Sequence, residues 1–180
     1  MQKKIIIAGV LMLFLFLSGA AFSETRVFFS PNGGCTDAIV KAISQSQKTI
    51  DIMMYSFSSR PIAQELVLAK DRGIKNRILL DRAQEKQKYS KSRYFIQRGF
   101  DVRYDTGSGL MHNKVGIIDG QLLVTGSFNW TAQAEKFNAE NLLLLTDPTL
   151  IKAYQERFNY LWEKGRQGVI SSDSGKSAEE

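Results

Sequence analysis

The stretch from residue 111 to residue 130, MHNKVGIIDGQLLVTGSFNW, decides how the chain is read. Two apolar runs, HNKVGIID and LLVTGSF, flank Gly120 with Asp119 before it, which is hairpin chemistry. The first run carries the only histidine of the chain, His112, together with Lys114. A strand alternates its faces, so these two side chains point the same way, with Gly116 and Ile118 next on that face and Asp119 at the turn. Ser127 and Asn129 follow at the end of the second strand, and the hairpin returns them beside His112 and Lys114. An imidazole, an ammonium, a hydroxyl and an amide then converge. Each alone is ordinary, since polar residues at strand ends usually satisfy local hydrogen bonds. A histidine and a lysine buried together are costly without compensation. No acidic cluster accompanies them to hold a metal. Such a set suits an anionic, oxygen-rich centre such as phosphate, where fixed donors stabilise developing charge.

Outward from this hairpin, strand and helix signals alternate. RVFFS is a short β-prone run stopped by PNGG. Thr36 is placed to cap a helix over DAIVKAISQSQ, whose Ala38, Ile39, Ala42 and Ile43 share a face. TIDIMMYSF reads as a buried strand. Ser59 and Pro61 open a helix that Gly73 closes, NRILLD is a strand, SKSRYFIQRG a helix ending at Gly99, and FDVRYD a strand. ENLLLLT is the last strand. Asp147 and Pro148 start a long helix with an apolar stripe of Ile151, Tyr154, Phe158, Leu161 and Trp162. This alternation predicts an α/β domain, a mixed β-sheet with helices on both faces, over residues 24–170. The polar end, residues 171–180, is expected to be disordered.

The chain begins with a short basic start, MQKK, and a continuous apolar run that ends in small residues. Ala21 and Ser23 occupy the positions a signal peptidase prefers, so residues 1–23 are expected to be a signal peptide cleaved before Glu24. A retained membrane anchor is the alternative. Either way the remainder is expected to be exported, periplasmic or secreted. It holds one cysteine, Cys35, so no disulfide forms within a chain and stability must come from packing. Of the formal net charge of +6, Lys3 and Lys4 belong to the leading segment, which leaves +4 on the rest. That excess favours polyanions.

The order His112-x-Lys114-x-x-x-x-Asp119, followed by GSFN at Gly126 to Asn129, resembles the HKD signature of the phospholipase D superfamily. Glu140 matches the acidic residue that follows the signature. The similarity is greatest to the small exported endonucleases of the superfamily with one motif per chain. It extends to MMYSF at Met53 to Phe57 and to the run from ILLD to HNKVGIID. The resemblance implies a phospholipase D-like fold and a phosphodiester hydrolase needing no cofactor and no metal. His112 would attack phosphorus to form a phosphohistidine, which divides one hard displacement into two. A second histidine must protonate the leaving oxygen. The chain has none, so counting predicts a homodimer that shares its site across a twofold axis. Lys114 and Asn129 would hold the phosphate oxygens, Ser127 would support the phosphate or a neighbouring side chain, and Glu140 would accept a hydrogen bond from the non-attacking nitrogen of His112. Asp119, counted among the catalytic set, is expected to order the turn more than to touch substrate.

The motif does not choose its phosphodiester. A nucleic acid substrate is favoured by the basic charge and by RAQEKQKYSKSRY, where Lys86, Lys88, Lys91 and Arg93 interleave with Tyr89 and Tyr94 as candidate nucleic-acid contacts. Anionic phospholipid is the alternative, and an inactive nucleic-acid-binding module is the third reading. No long apolar insertion after residue 24 offers room for an acyl chain.

Overall fold

The computed structural model describes residues 23–169. The expected signal peptide and the polar tail 171–180 lie outside the described residues, apart from Ser23. In chain order the elements are β1 (Thr25–Ser30), α1 (Cys35–Ser44), β2 (Thr49–Met54), α2 (Arg60–Asp71), β3 (Lys75–Leu80), a 3-10 turn at Arg82–Glu85, α3 (Ser92–Gln97) and β4 (Asp101–Tyr104). Then come β5 (Lys114–Ile118), β6 (Leu122–Gly126), α4 (Ala132–Lys136), β7 (Glu140–Leu145), α5 (Pro148–Lys164) and β8 (Arg166–Gln167).

The strands form one sheet in the order β1-β7-β6-β5-β2-β3-β4-β8. β2 pairs in parallel with β3, and β3 with β4; the other ladders are antiparallel. The sheet is therefore mixed, and the hairpin read from the sequence lies at its centre. Asp119 and Gly120 turn it at φ 56° and 62°, and the Gln121 amide donates to the Ile118 carbonyl at 2.9 Å. Positive φ at both central residues is what a tight hairpin requires.

Central strands are buried on both faces, which is why they read as continuous apolar runs. Ile52, Met54, Ile78, Leu80, Ile118 and Val124 pack under Ile39, Ile43, Ile62 and Leu66 of α1 and α2. Met53, Leu79, Val115, Ile117 and Leu123 face Ile151, Phe158, Leu161 and Trp162 of α5. Helices thus cover both faces. An ion pair, Arg77 with Asp51 at 2.6 Å, is joined by Gln155 of α5, which donates to the same carboxylate.

Two local expectations change. Thr36 is not the cap of α1: the N-cap is Gly34 at φ 81°, and the Thr36 amide donates to the Glu135 carboxylate at 2.8 Å. A carboxylate from α4, brought in by the fold, supplies the acceptor that the first turn of a helix needs. The strand containing Lys114 also starts later than its apolar pattern suggests, so His112 stands on the loop before β5. One further bond extends the pairing a residue beyond β5, with the Tyr55 amide donating to the Asn113 carbonyl at 2.8 Å. As expected, Asp147 caps α5, accepting from the Thr149 and Leu150 amides.

Candidate active site

His112 is exposed and Lys114, two residues on, is buried. Lys114 Nζ lies 2.9 Å from His112 Nδ1 and donates to the His112 carbonyl, also at 2.9 Å. Tyr55, just past β2, places its ring 4.3 Å from that of His112 and 4.9 Å from Lys114 Nζ. Burial lowers the pKa of Lys114, and Glu140 opposes this in part. The loop that carries His112 is anchored by Asp81, which is fully buried. One of its oxygens accepts from the Ala83 amide and the other from the Met111 amide, each at 2.9 Å.

The second motif wraps tightly around one carbonyl. Gly126 has φ 143°, and a Cβ there would lie 2.3 Å from the Asn141 carbonyl oxygen, so only glycine fits. The amides of Ser127 and Phe128 both donate to that oxygen, at 3.1 and 3.2 Å. The register of β5 with β6, Gly116 opposite Val124, carried two residues onward sets Lys114 opposite Gly126. Asn129 precedes Trp130, whose backbone bridges Phe57 at the same end of the sheet. Its Oδ1 is buried without a partner. An unfilled buried amide costs about 1–3 kcal/mol and is the kind of exception found at ligand sites.

His112, Lys114, Ser127, Asn129 and Glu140 therefore collect at one end of the central strands, but their contacts differ from those implied. Glu140 does not bond to His112 of its own chain. Its carboxylate accepts from Ser127 Oγ at 2.5 Å and from Asn138 Nδ2 at 2.9 Å. Ser127 also accepts from the Asn141 amide, so its hydroxyl is engaged with Glu140 and the strand rather than free. Asp119, counted with the catalytic set by its motif, orders the turn as its position implied. It stands at the other end of β5, about 16 Å of strand from Lys114, and accepts from the amides of Gln47, Lys48 and Thr49 at 2.7–2.9 Å. Burial pushes its pKa up, but the three amides outweigh that and lower it. It ties the hairpin turn to the start of β2. Lys86, Lys88 and Arg93 are exposed and Lys91 is half-buried.

Sequence reasoning missed two residues. Tyr55 lay within a stretch similar to the superfamily but carried no signal of its own. Asp81 looked like the end of a strand. Among the described residues no three His, Cys, Asp or Glu side chains gather into a group able to hold a metal ion.

An exposed imidazole held by a buried ammonium, with Asn129 at the same end of the sheet, is a set suited to phosphate ester chemistry. Comparison with known proteins places it. Residues 39–162 match the family model described as cardiolipin synthase, PLD-like domain. A protein named Phospholipase D from Rickettsia prowazekii is 42% identical over 142 residues, which span 79% of this chain and 69% of that one. Mitochondrial cardiolipin hydrolase from Xenopus tropicalis is 34% identical over 67% of this chain and 57% of its own length. Among solved structures, the phospholipase D family member Nuc from Salmonella typhimurium superposes with a TM-score of 0.77 at 31% identity, over 82% of this chain and 99% of that one. NucT from Helicobacter pylori gives 0.75 at 25% identity, over 81% and 99%. The chain belongs to the phospholipase D superfamily, and it is a phosphodiester hydrolase with that superfamily's α/β fold.

Proposed function

We propose that this hydrolase is a metal-independent, non-specific endonuclease that cleaves DNA, and RNA as a second substrate, in a homodimeric active site. The observation that carries the reading is the match to Nuc and NucT, each spanned over 99% of its length by a chain with one motif. The open setting of His112 and the basic charge agree with it. His112 attacks phosphorus and the bond to the leaving oxygen breaks, which gives a phosphohistidine; water then attacks phosphorus and releases His112. The imidazole of a second copy donates a proton to the leaving oxygen and later takes one from the water. Lys114 and the Asn129 amide hold the non-bridging oxygens. A charged Lys114 must leave Nδ1 for the phosphate before the ring can pass its proton between nitrogens.

A second reading, hydrolysis of phospholipid head groups, is favoured by the relatives named Phospholipase D and cardiolipin hydrolase. Export across the cytoplasmic membrane, with cleavage before Glu24, completes the proposal; a retained anchor would bring the site to a lipid surface. The test is to incubate the protein in excess chelator with supercoiled plasmid and, separately, with anionic and zwitterionic lipid vesicles. Nicking without head-group release is expected. Head-group release without nicking selects the second reading, and activity restored only by a divalent ion overturns metal independence.

A further inference from the structure

A cavity of about 770 Å³ opens beside the catalytic centre, between the first turns of α1 and α2, the loop before α3, and α4. Four cations line it: Arg60, Lys88, Lys91 and Lys136. Among the described residues none of the four makes an ion pair. Two carboxylates, Asp37 and Glu135, share its wall, so the four cations leave it net positive. The groove is thus a cationic hollow, and the N-terminus of the twelve-residue α2 adds its partial positive charge.

One aromatic ring stands open in it. Tyr94 is covered, with Arg98 3.8 Å and Lys91 5.5 Å from its centroid. Tyr89 is 78% exposed and its one cation neighbour, Lys88, is 5.9 Å away. A large exposed ring among unpaired cations is the arrangement that takes an unpaired base on its face and the backbone on its charges. A duplex keeps its bases stacked on each other and offers such a ring nothing.

Two segments run directly from the catalytic centre into the groove. Tyr55 touches His112, and three residues on, Ser58 lines the groove, at most about 11 Å of chain away. Asn129 belongs to the centre and Ala132 to the groove. The Ser58 and Ser59 amides both donate to the Trp130 carbonyl, which locks the two segments together. The groove thus lies at the same end of the sheet as His112, a few residues along both segments.

We infer that this groove is a second binding site for a single-stranded polynucleotide, with Tyr89 stacking an unpaired base and Arg60, Lys88, Lys91 and Lys136 holding its phosphates. The inference rests on the nucleic-acid reading and adds a preference for unpaired over paired strands. Lys86 and Arg93, singled out from the same basic run, are not in the lining.

The test compares Tyr89→Ala and Lys136→Ala, both at exposed positions on different elements, with the unaltered protein. Cleavage of a single-stranded oligonucleotide is measured relative to cleavage of bis(4-nitrophenyl) phosphate, which is too small to reach the groove. Each variant is expected to lower that ratio at least about fivefold, in the range of a lost stacking or phosphate contact. A ratio within about twofold of the unaltered protein in both overturns the inference. Fluorescence anisotropy with labelled single-stranded and duplex oligonucleotides, measured in the His112→Asn background because chelator does not stop a metal-independent enzyme, reads the groove independently of cutting. Preference for the single strand, abolished by Tyr89→Ala, supports it; equal affinity for both forms, or a preference that survives the substitution, overturns it. Failure of the unaltered protein to cleave any nucleic acid would instead sink the nuclease reading, with the anisotropy still deciding the groove.

Discussion

Lys114 Nζ lies 2.9 Å from His112 Nδ1, with no carboxylate between them and the rest of the ammonium turned to the His112 carbonyl. An ammonium has donors only, so while Lys114 is charged it occupies the Nδ1 lone pair and leaves the imidazole proton on Nε2. In the proposed mechanism the resting chain therefore holds the His112 nucleophile in check. A phosphate that draws Lys114 onto its own oxygens removes that restraint at the moment substrate binds. His112→Asn is expected to abolish turnover and leave the fold intact, as measured by nicking assay and circular dichroism. Retained activity would remove His112 from the nucleophile's role.

Burial lowers the pKa of Lys114 below the ordinary 10.5, so charging this group costs the folded state free energy. Between the lowered value and 10.5 the unfolded chain binds more protons, and stability rises with pH across that window. Lys114→Met removes the buried charge and is expected to raise Tm, by roughly 2–4 °C for each kcal/mol relieved, while abolishing turnover. The same shift brings the loss of activity at high pH below the ordinary lysine value. Calorimetry at pH 7 and a pH–rate profile check both; a lower Tm for Lys114→Met contradicts the first.

Tyr55 packs its ring against the imidazole, tilted at 52° with the centroids 4.3 Å apart, and lies beneath the Lys114 cation. Its ring, rather than its hydroxyl, makes both contacts. Tyr55→Phe is therefore expected to keep most of kcat. Tyr55→Ala frees the imidazole to turn and is expected to lower kcat about 10- to 100-fold, the scale of a small misplacement of a reacting group. Equal losses in the two variants would assign the effect to the hydroxyl.

Much of the fold was legible because buried central strands and amphipathic helices leave their periods in the sequence. The motif was legible because its residues lie close together in the chain. What escaped is set by contacts between distant residues. The acceptor for the first turn of α1 comes from Glu135, 99 residues beyond Thr36, and no local pattern announces it. Asp119 belongs to the motif, yet five residues of strand carry it to the opposite end of the sheet, in keeping with its place at the turn. β8, two residues paired with Arg103 and Tyr104, is too short to have a period.

Asp119 offers a direct test of that placement. Its lowered pKa means that its three amide bonds stabilise the fold fully above the unfolded value near 3.8 and lose that contribution as pH falls through the folded value. Asp119→Ala is expected to cost about 2–4 kcal/mol at pH 7, as for other lost bonds to a charged acceptor. The cost shrinks as the pH is lowered into the acid range. kcat per folded molecule stays near that of the unaltered protein at a temperature well below Tm. Urea unfolding at pH 7 and at low pH, beside a rate assay, separates this from a catalytic role, which would lower kcat with stability unchanged.

The single histidine of the chain allows the number of chains per active centre to be counted in solution. If each centre needs two imidazoles, a dimer with one His112→Asn chain has neither a complete nucleophile–acid pair nor a second intact centre. Mixing equal amounts of unaltered and His112→Asn protein, unfolding them together and refolding allows the chains to combine at random. About one quarter of the dimers then carry two histidines, and activity per total protein is expected near one quarter of that of the unaltered protein alone. Chains that act singly would retain about one half, because the variant would only dilute the active molecules. Sedimentation at the assay concentration establishes that dimers are present when the rates are measured. A value near one half in a dimeric sample would show that each chain works with its own imidazole, and the shared-centre mechanism would have to be abandoned.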